Sequence, residues 1–167
     1  MELYILRHGI AEAREDTNAK DDSQRRLTRE GERKMERIAK SICALGLSFD
    51  VILTSPFPRS KETADIVARA LRSTKRVQSL DALAAGESTK QLVKALRERS
   101  SGFESVLIVG HEPDLSSFVS LLVTGGSDMI LTLKKGGLCK LTLSTLRPGR
   151  CAILEWLAPP SLMTRIR

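Results

Sequence analysis

Aromatic side chains, cysteines and long apolar runs are all scarce in this chain, and each scarcity removes a class of function. One Trp, one Tyr and four Phe are too few for a surface that stacks exposed bases, which argues against single-stranded nucleic-acid binding. The three cysteines, Cys43, Cys139 and Cys151, are dispersed and odd in number, with no CxxC. That pattern supports neither a disulfide framework nor a zinc site, and leaves them as packing or surface thiols. Before Arg7 the only apolar run is Leu3 to Leu6, too short for a signal-peptide core, and no segment approaches the ~20 apolar residues of a membrane span. A soluble, cytoplasmic protein with no membrane partner is expected.

Negative charge is also in deficit. Lys plus Arg number 27 against 20 Asp plus Glu, a net charge of +7, which points to an anionic partner. The basic residues are scattered and mixed with acids, so a nucleic-acid surface is not expected; small anionic groups such as phosphate remain. What the chain does have is 41% hydrophobic residues over a length of 167, enough to bury one core. A single domain over residues 1–167 is expected.

Short β-type runs alternate with helical periodicity, the pattern of a sheet covered by helices on both faces. Leu3 to Leu6 read as a strand, and the polar stretch from Ala13 to Arg26 as a surface loop. In "LTREGERKMERIAKSICALG", Met35, Ile38, Ala39, Ile42 and Cys43 make an amphipathic stripe, with Thr28 as N-cap and Gly46 as stop. "FDVILTS" reads as a second strand leading into a helix that starts at Pro58 and carries Ala64, Val67, Ala68 and Leu71 on its apolar face. A short strand follows near Arg76 to Leu80, then a helix capped at Ser88 or Thr89. "SVLIVG", Ser105 to Gly110, is a fully buried strand, and Leu115, Phe118, Val119 and Leu122 stripe the helix after it. Two further β-type runs flank an "RPG" turn, an antiparallel hairpin at a sheet edge. The fold class is therefore α/β: a three-layer α/β/α sandwich, mostly parallel, with an antiparallel C-terminal edge hairpin.

Chemistry-bearing residues fall where strands end: "RHG" after the first, "SPFPR" after the second, "GHEPD" after the fourth. Ligands of open α/β sheets bind at the carboxyl ends of strands, so these three ends predict one pocket holding Arg7, His8, Arg59 and His111. His8 and His111 are the only histidines. A neutral imidazole is a nucleophile near pH 7, and arginine forks hold phosphoryl oxygens bidentately. Together they suit phosphoryl transfer through a phosphohistidine. The same residues singly read as solvated surface groups, and the pocket as a whole also fits a non-catalytic phosphate-binding module.

"LRHG", "LTREG", "TSPFPRSKETA" and "VGHEPDLS", in that order along the chain, resemble the histidine phosphatase superfamily, also called phosphoglycerate-mutase-like. The short length is most similar to the phosphohistidine phosphatases of the SixA type. The resemblance implies His8 as nucleophile, Arg7, Arg59 and His111 as holders of the phosphoryl group, and no metal or other cofactor. It implies as substrate a protein carrying phosphohistidine; small phosphate esters or nucleotides are the alternative. Larger members carry an acid for the leaving group in a segment after the third strand. Here that segment is "LDALAAGEST", whose acids are Asp81 and Glu87, and Glu87 is the candidate general acid against the reading of a solvated loop charge. Glu12, Glu15 and Asp16 are expected near the pocket mouth as solvated charges, or as groups that repel polyanions.

Overall fold

The computed structural model describes residues 1–13 and 21–166. Glu15 and Asp16 lie outside the described residues. The order of elements is β1 (Glu2–Arg7), α1 (Arg29–Ala44), β2 (Val51–Thr54), α2 (Pro58–Ala70), β3 (Val77–Ser79), α3 (Thr89–Arg99), β4 (Ser105–Gly110), α4 (Asp114–Thr124), β5 (Leu138–Leu143), β6 (Ala152–Ala158) and α5 (Pro160–Met163). The strands form one sheet of order β3-β2-β4-β1-β5-β6. β1, β2, β3 and β4 run parallel, while β5 and β6 pair antiparallel at one edge.

Side chains alternate across each strand, so every central strand feeds two cores. Leu3, Ile5, Val51, Leu53, Val106 and Ile108 face α3 and α4. Tyr4, Leu6, Ile52, Leu107 and Val109 face α1, α2 and α5. The result is the α/β/α sandwich with an antiparallel edge that the patterning predicts.

Local signals act as expected at most element ends. The Thr28 side chain accepts from the Gly31 N–H at the start of α1, and Pro58 occupies the first turn of α2. Four details differ. Cys43 is exposed, at the margin of the α1 stripe, where its thiol donates to the Ala70 carbonyl at 3.5 Å. Leu71 is only half-buried, since α2 ends at Ala70. The stretch expected as a plain loop contains a 3-10 turn, Asp22–Gln24, with Asp21 as its cap. α5 went unpredicted, being a single turn after Pro159 and Pro160 without periodicity to betray it.

Register is what positions the site. Arg7 pairs with Gly110, and Thr54 with Val109, so β1, β4 and β2 end at one level. Backbone bonds continue past the strands, from His8 N–H to Gly110 O at 3.1 Å and from Ser55 N–H to Val109 O at 2.9 Å. His8, His111 and Ser55 therefore emerge side by side.

Candidate active site

Adjacent parallel strands lie about 4.8 Å apart, and the imidazoles that leave β1 and β4 have ring centroids 5.1 Å apart. Both rings are buried, His8 to 5% exposure and His111 to 2%. His8 Nδ1 donates to the Gly9 carbonyl at 2.7 Å. A carbonyl only accepts, so the ring proton sits on Nδ1 and Nε2 keeps its lone pair. His111 is held the other way round. Its Nε2 lies 2.8 Å from Ser55 Oγ and 3.3 Å from Ser60 Oγ. Ser55 Oγ accepts from the Phe57 N–H at 3.2 Å, and the one acceptor that its own proton meets among the described residues is His111 Nε2. The ring hydrogen of His111 then falls on Nδ1, a buried atom with no hydrogen-bond partner among the described residues.

Burial pushes the pKa of both histidines down to about 3, helped by the positive charge of Arg59 and Arg7. Both imidazoles are neutral at pH 7. One thus presents a nucleophilic lone pair, the other an N–H donor, and the bare electron pair and bare donor suit the phosphorus and an oxygen of one phosphoryl group.

Two guanidiniums complete the cluster. Arg7 Nη1 donates to Leu133 O at 2.9 Å, and its buried Nε has no partner among the described residues. Two such unsatisfied donors, Arg7 Nε and His111 Nδ1, each cost about 1–3 kcal/mol, a cost an oxyanion would remove. Arg59 enters from the second residue of α2 and is 2% exposed. Its Nη1 and Nη2 meet the backbone oxygen of Asp22 at 2.6 Å and its Oδ2 at 2.9 Å, while the Phe57 ring packs 5.2 Å from the guanidinium carbon. Asp22 Oδ1 in turn pairs with Arg25 at 2.7 Å. Thr63, one turn into α2, accepts from the Gly9 N–H at 3.0 Å and donates to the Arg59 carbonyl at 2.7 Å, tying the two strand ends together.

The fold thus brings Arg7, His8, Arg59 and His111 to one place. It does not bring Glu87 there. That residue is exposed and lines a separate shallow depression with Asp81, Gln91 and Glu98; its loop is fastened through Gly86 N–H to Asp114 at 2.8 Å. Glu12 accepts from the Arg26 N–H at 3.1 Å. Ser55, Ser60, Thr63 and Asp22 belong to the cluster and were not anticipated. Hydroxyls and surface acids are common residue types, and only tertiary placement singles these out. Among the described residues no three His, Cys, Asp or Glu side chains are grouped to hold a metal ion, and no helix is long and apolar enough to cross a membrane.

Comparison with known proteins bears on the family and the fold. Residues 3–87 match the model of the histidine phosphatase superfamily (branch 1), a span that includes Arg7, His8 and Arg59. An uncharacterised protein of Picosynechococcus sp. is 37% identical over 142 residues, which are 84% of each chain. A solved structure of the protein histidine phosphatase SixA with tungstate superposes at TM-score 0.81 and 25% identity, over 96% of this chain and 98% of that one. A mutant phosphoserine phosphatase of Entamoeba histolytica, in complex with phosphoserine, shares the fold at TM-score 0.70 and 15% identity, over 95% and 97%.

Proposed function

Because the chain belongs to the histidine phosphatase superfamily, we propose that it removes the phosphoryl group of protein phosphohistidine through a covalent intermediate on His8. The observation that carries this reading is the His8 ring, neutral and pinned at Nδ1 to the Gly9 carbonyl. Its Nε2 attacks phosphorus in line. A P–N bond to His8 forms as the P–N bond of the substrate breaks, and the electron pair leaves on the substrate imidazole, which takes up a proton. Water then attacks the phosphoryl group on His8, releasing inorganic phosphate and regenerating the free ring. Arg7, Arg59 and the Nδ1–H of His111 hold the three equatorial oxygens and offset their charge.

The choice of a phosphoramidate over an alkyl ester rests on the carboxylates beside the cradle among the described residues. Asp22 is paired with Arg59 and Arg25, and Glu112 is bonded to the Ser116 N–H at 3.0 Å and the Ser116 hydroxyl at 2.6 Å. Neither is a poised acid. An alkoxide leaving group needs one; an imidazole protonated from solvent does not.

The test is turnover and trapping. Labelled phosphohistidine protein is expected to leave base-stable label on His8, with vanadate inhibiting and a chelator without effect. His8→Ala is expected to lose on the order of a thousandfold or more in kcat. Turnover by that variant near the wild-type rate overturns the mechanism, and a higher kcat/KM on sugar phosphates than on phosphohistidine overturns the substrate.

A further inference from the structure

The segment 133–137, just before β5, is fastened to the strand end that carries Arg7 and His8. Arg7 Nη1 donates to Leu133 O at 2.9 Å, the Gly136 N–H reaches Arg7 O at 3.0 Å and His8 O at 3.2 Å, and the Arg7 N–H reaches Gly137 O at 3.2 Å. Gly136 has φ +79, and a Cβ there would lie 2.8 Å from Ile38 Cδ1 and 3.2 Å from Met35 Sδ. The turn is therefore fixed in place, and Lys135 sits between its anchors.

Lys135 is half-buried, unlike its exposed neighbour Lys134. Burial holds its ammonium below the ordinary lysine range, and the charges that reach it, those of Arg7, Arg25 and Arg59, push the same way. Among the described residues none gives this ammonium a hydrogen bond or an ion pair. One phosphoryl group carries at most two negative charges. Arg7 and Arg59 line the cradle itself, but Arg59 shares Asp22 with Arg25, which is committed as well, at 2.7 Å, to the Glu12 carbonyl. Lys135 adds a further cation on a rigid turn at the same edge, and unlike Arg7, Arg25 and Arg59 it has no hydrogen bond or ion pair of its own among the described residues.

We propose that Lys135 forms a second anion subsite at the rim of the phosphoryl cradle, taking a carboxylate or phosphate that the substrate carries beside its reacting phosphoryl group. The proposal rests on the phosphatase reading and narrows its substrate class. In a phosphoprotein the second anion is an Asp or Glu flanking the phosphohistidine; in a small molecule it is a second acidic group.

Two substrate pairs separate these sources: phosphohistidine peptides with flanking Glu or flanking Ala, and phosphate esters with or without a neighbouring carboxylate. Wild type is expected to prefer the acidic member of a pair by about tenfold in kcat/KM, equivalent to about 1.4 kcal/mol. Lys135→Met should bring that ratio close to one, and Lys135→Arg should retain it. A preference confined to the esters assigns the subsite to a small molecule, and one seen with the peptides assigns it to a protein. The proposal is overturned if Lys135→Met keeps the wild-type ratio in both pairs, or lowers all four substrates equally. If neither peptide is hydrolysed, phosphohistidine falls as the substrate, and the ester pair still tests Lys135.

Discussion

Two buried imidazoles with pKa values near 3 make the active centre a source of acid instability. Each ring titrates near 6.5 once the chain is unfolded, so between pH 6.5 and 3 the unfolded state binds more protons than the native one. Stability is then complete above pH 6.5 and falls as the pH drops through that window. Each histidine costs about 1.4 kcal/mol per pH unit. Urea midpoints measured across the window should fall accordingly. His111→Gln, which removes one of the two groups, should flatten the slope by about half, and an unchanged slope would refute the assignment. The four residues of the cluster were legible in the sequence because each stands within a few residues of a buried strand's end and belongs to a type that handles phosphate. Ser55, Ser60 and Asp22 were not. Their importance comes from what lies across the chain from them, His111 for the two serines and Arg59 for the acid.

At the scale of elements, the "LTREG" motif has a steric explanation. A Cβ on Gly31 would lie 2.1 Å from the Ile10 carbonyl oxygen, the same oxygen that accepts the Thr28 N–H at 2.9 Å. The first turn of α1 thus rests directly on the backbone that follows Arg7 and His8. Gly31→Ala must push the two apart, since both partners are main chain. A loss of about 1–3 kcal/mol is expected in chemical denaturation, with a fall in kcat because the His8 segment moves with Ile10. Unaltered stability would show that the helix can slide without cost. Helices and strands were themselves readable, as α1, α2 and α4 keep an apolar stripe and β4 is apolar from Val106 to Val109. α5 and the 3-10 turn at Asp22 lacked that signal. One turn of helix is too short to show a period, and Asp22 is held by Arg59 and Arg25, partners that no local pattern announces.

Across the whole molecule, charge and topology meet at one edge. A net charge of +7 is unremarkable if spread evenly, but Arg7, Arg25, Arg59 and Lys135 are gathered where β1, β4 and β2 end. Such a gathering speeds the arrival of anionic substrates through its long-range field, and salt screens that field over about 8–10 Å. The bond-breaking step of the proposed mechanism would take place against groups that are nearly dry, Arg59 at 2% and His111 at 2% exposure, where screening is weak. Raising salt from about 20 to about 300 mM should therefore lower kcat/KM several-fold on a peptide with flanking acids while kcat at saturation stays near its low-salt value. The dependence should be shallower for the Ala-flanked peptide and for Lys135→Met acting on the acidic one. Equal slopes in all three cases would put the attraction in the charge of the molecule at large and not at the strand ends.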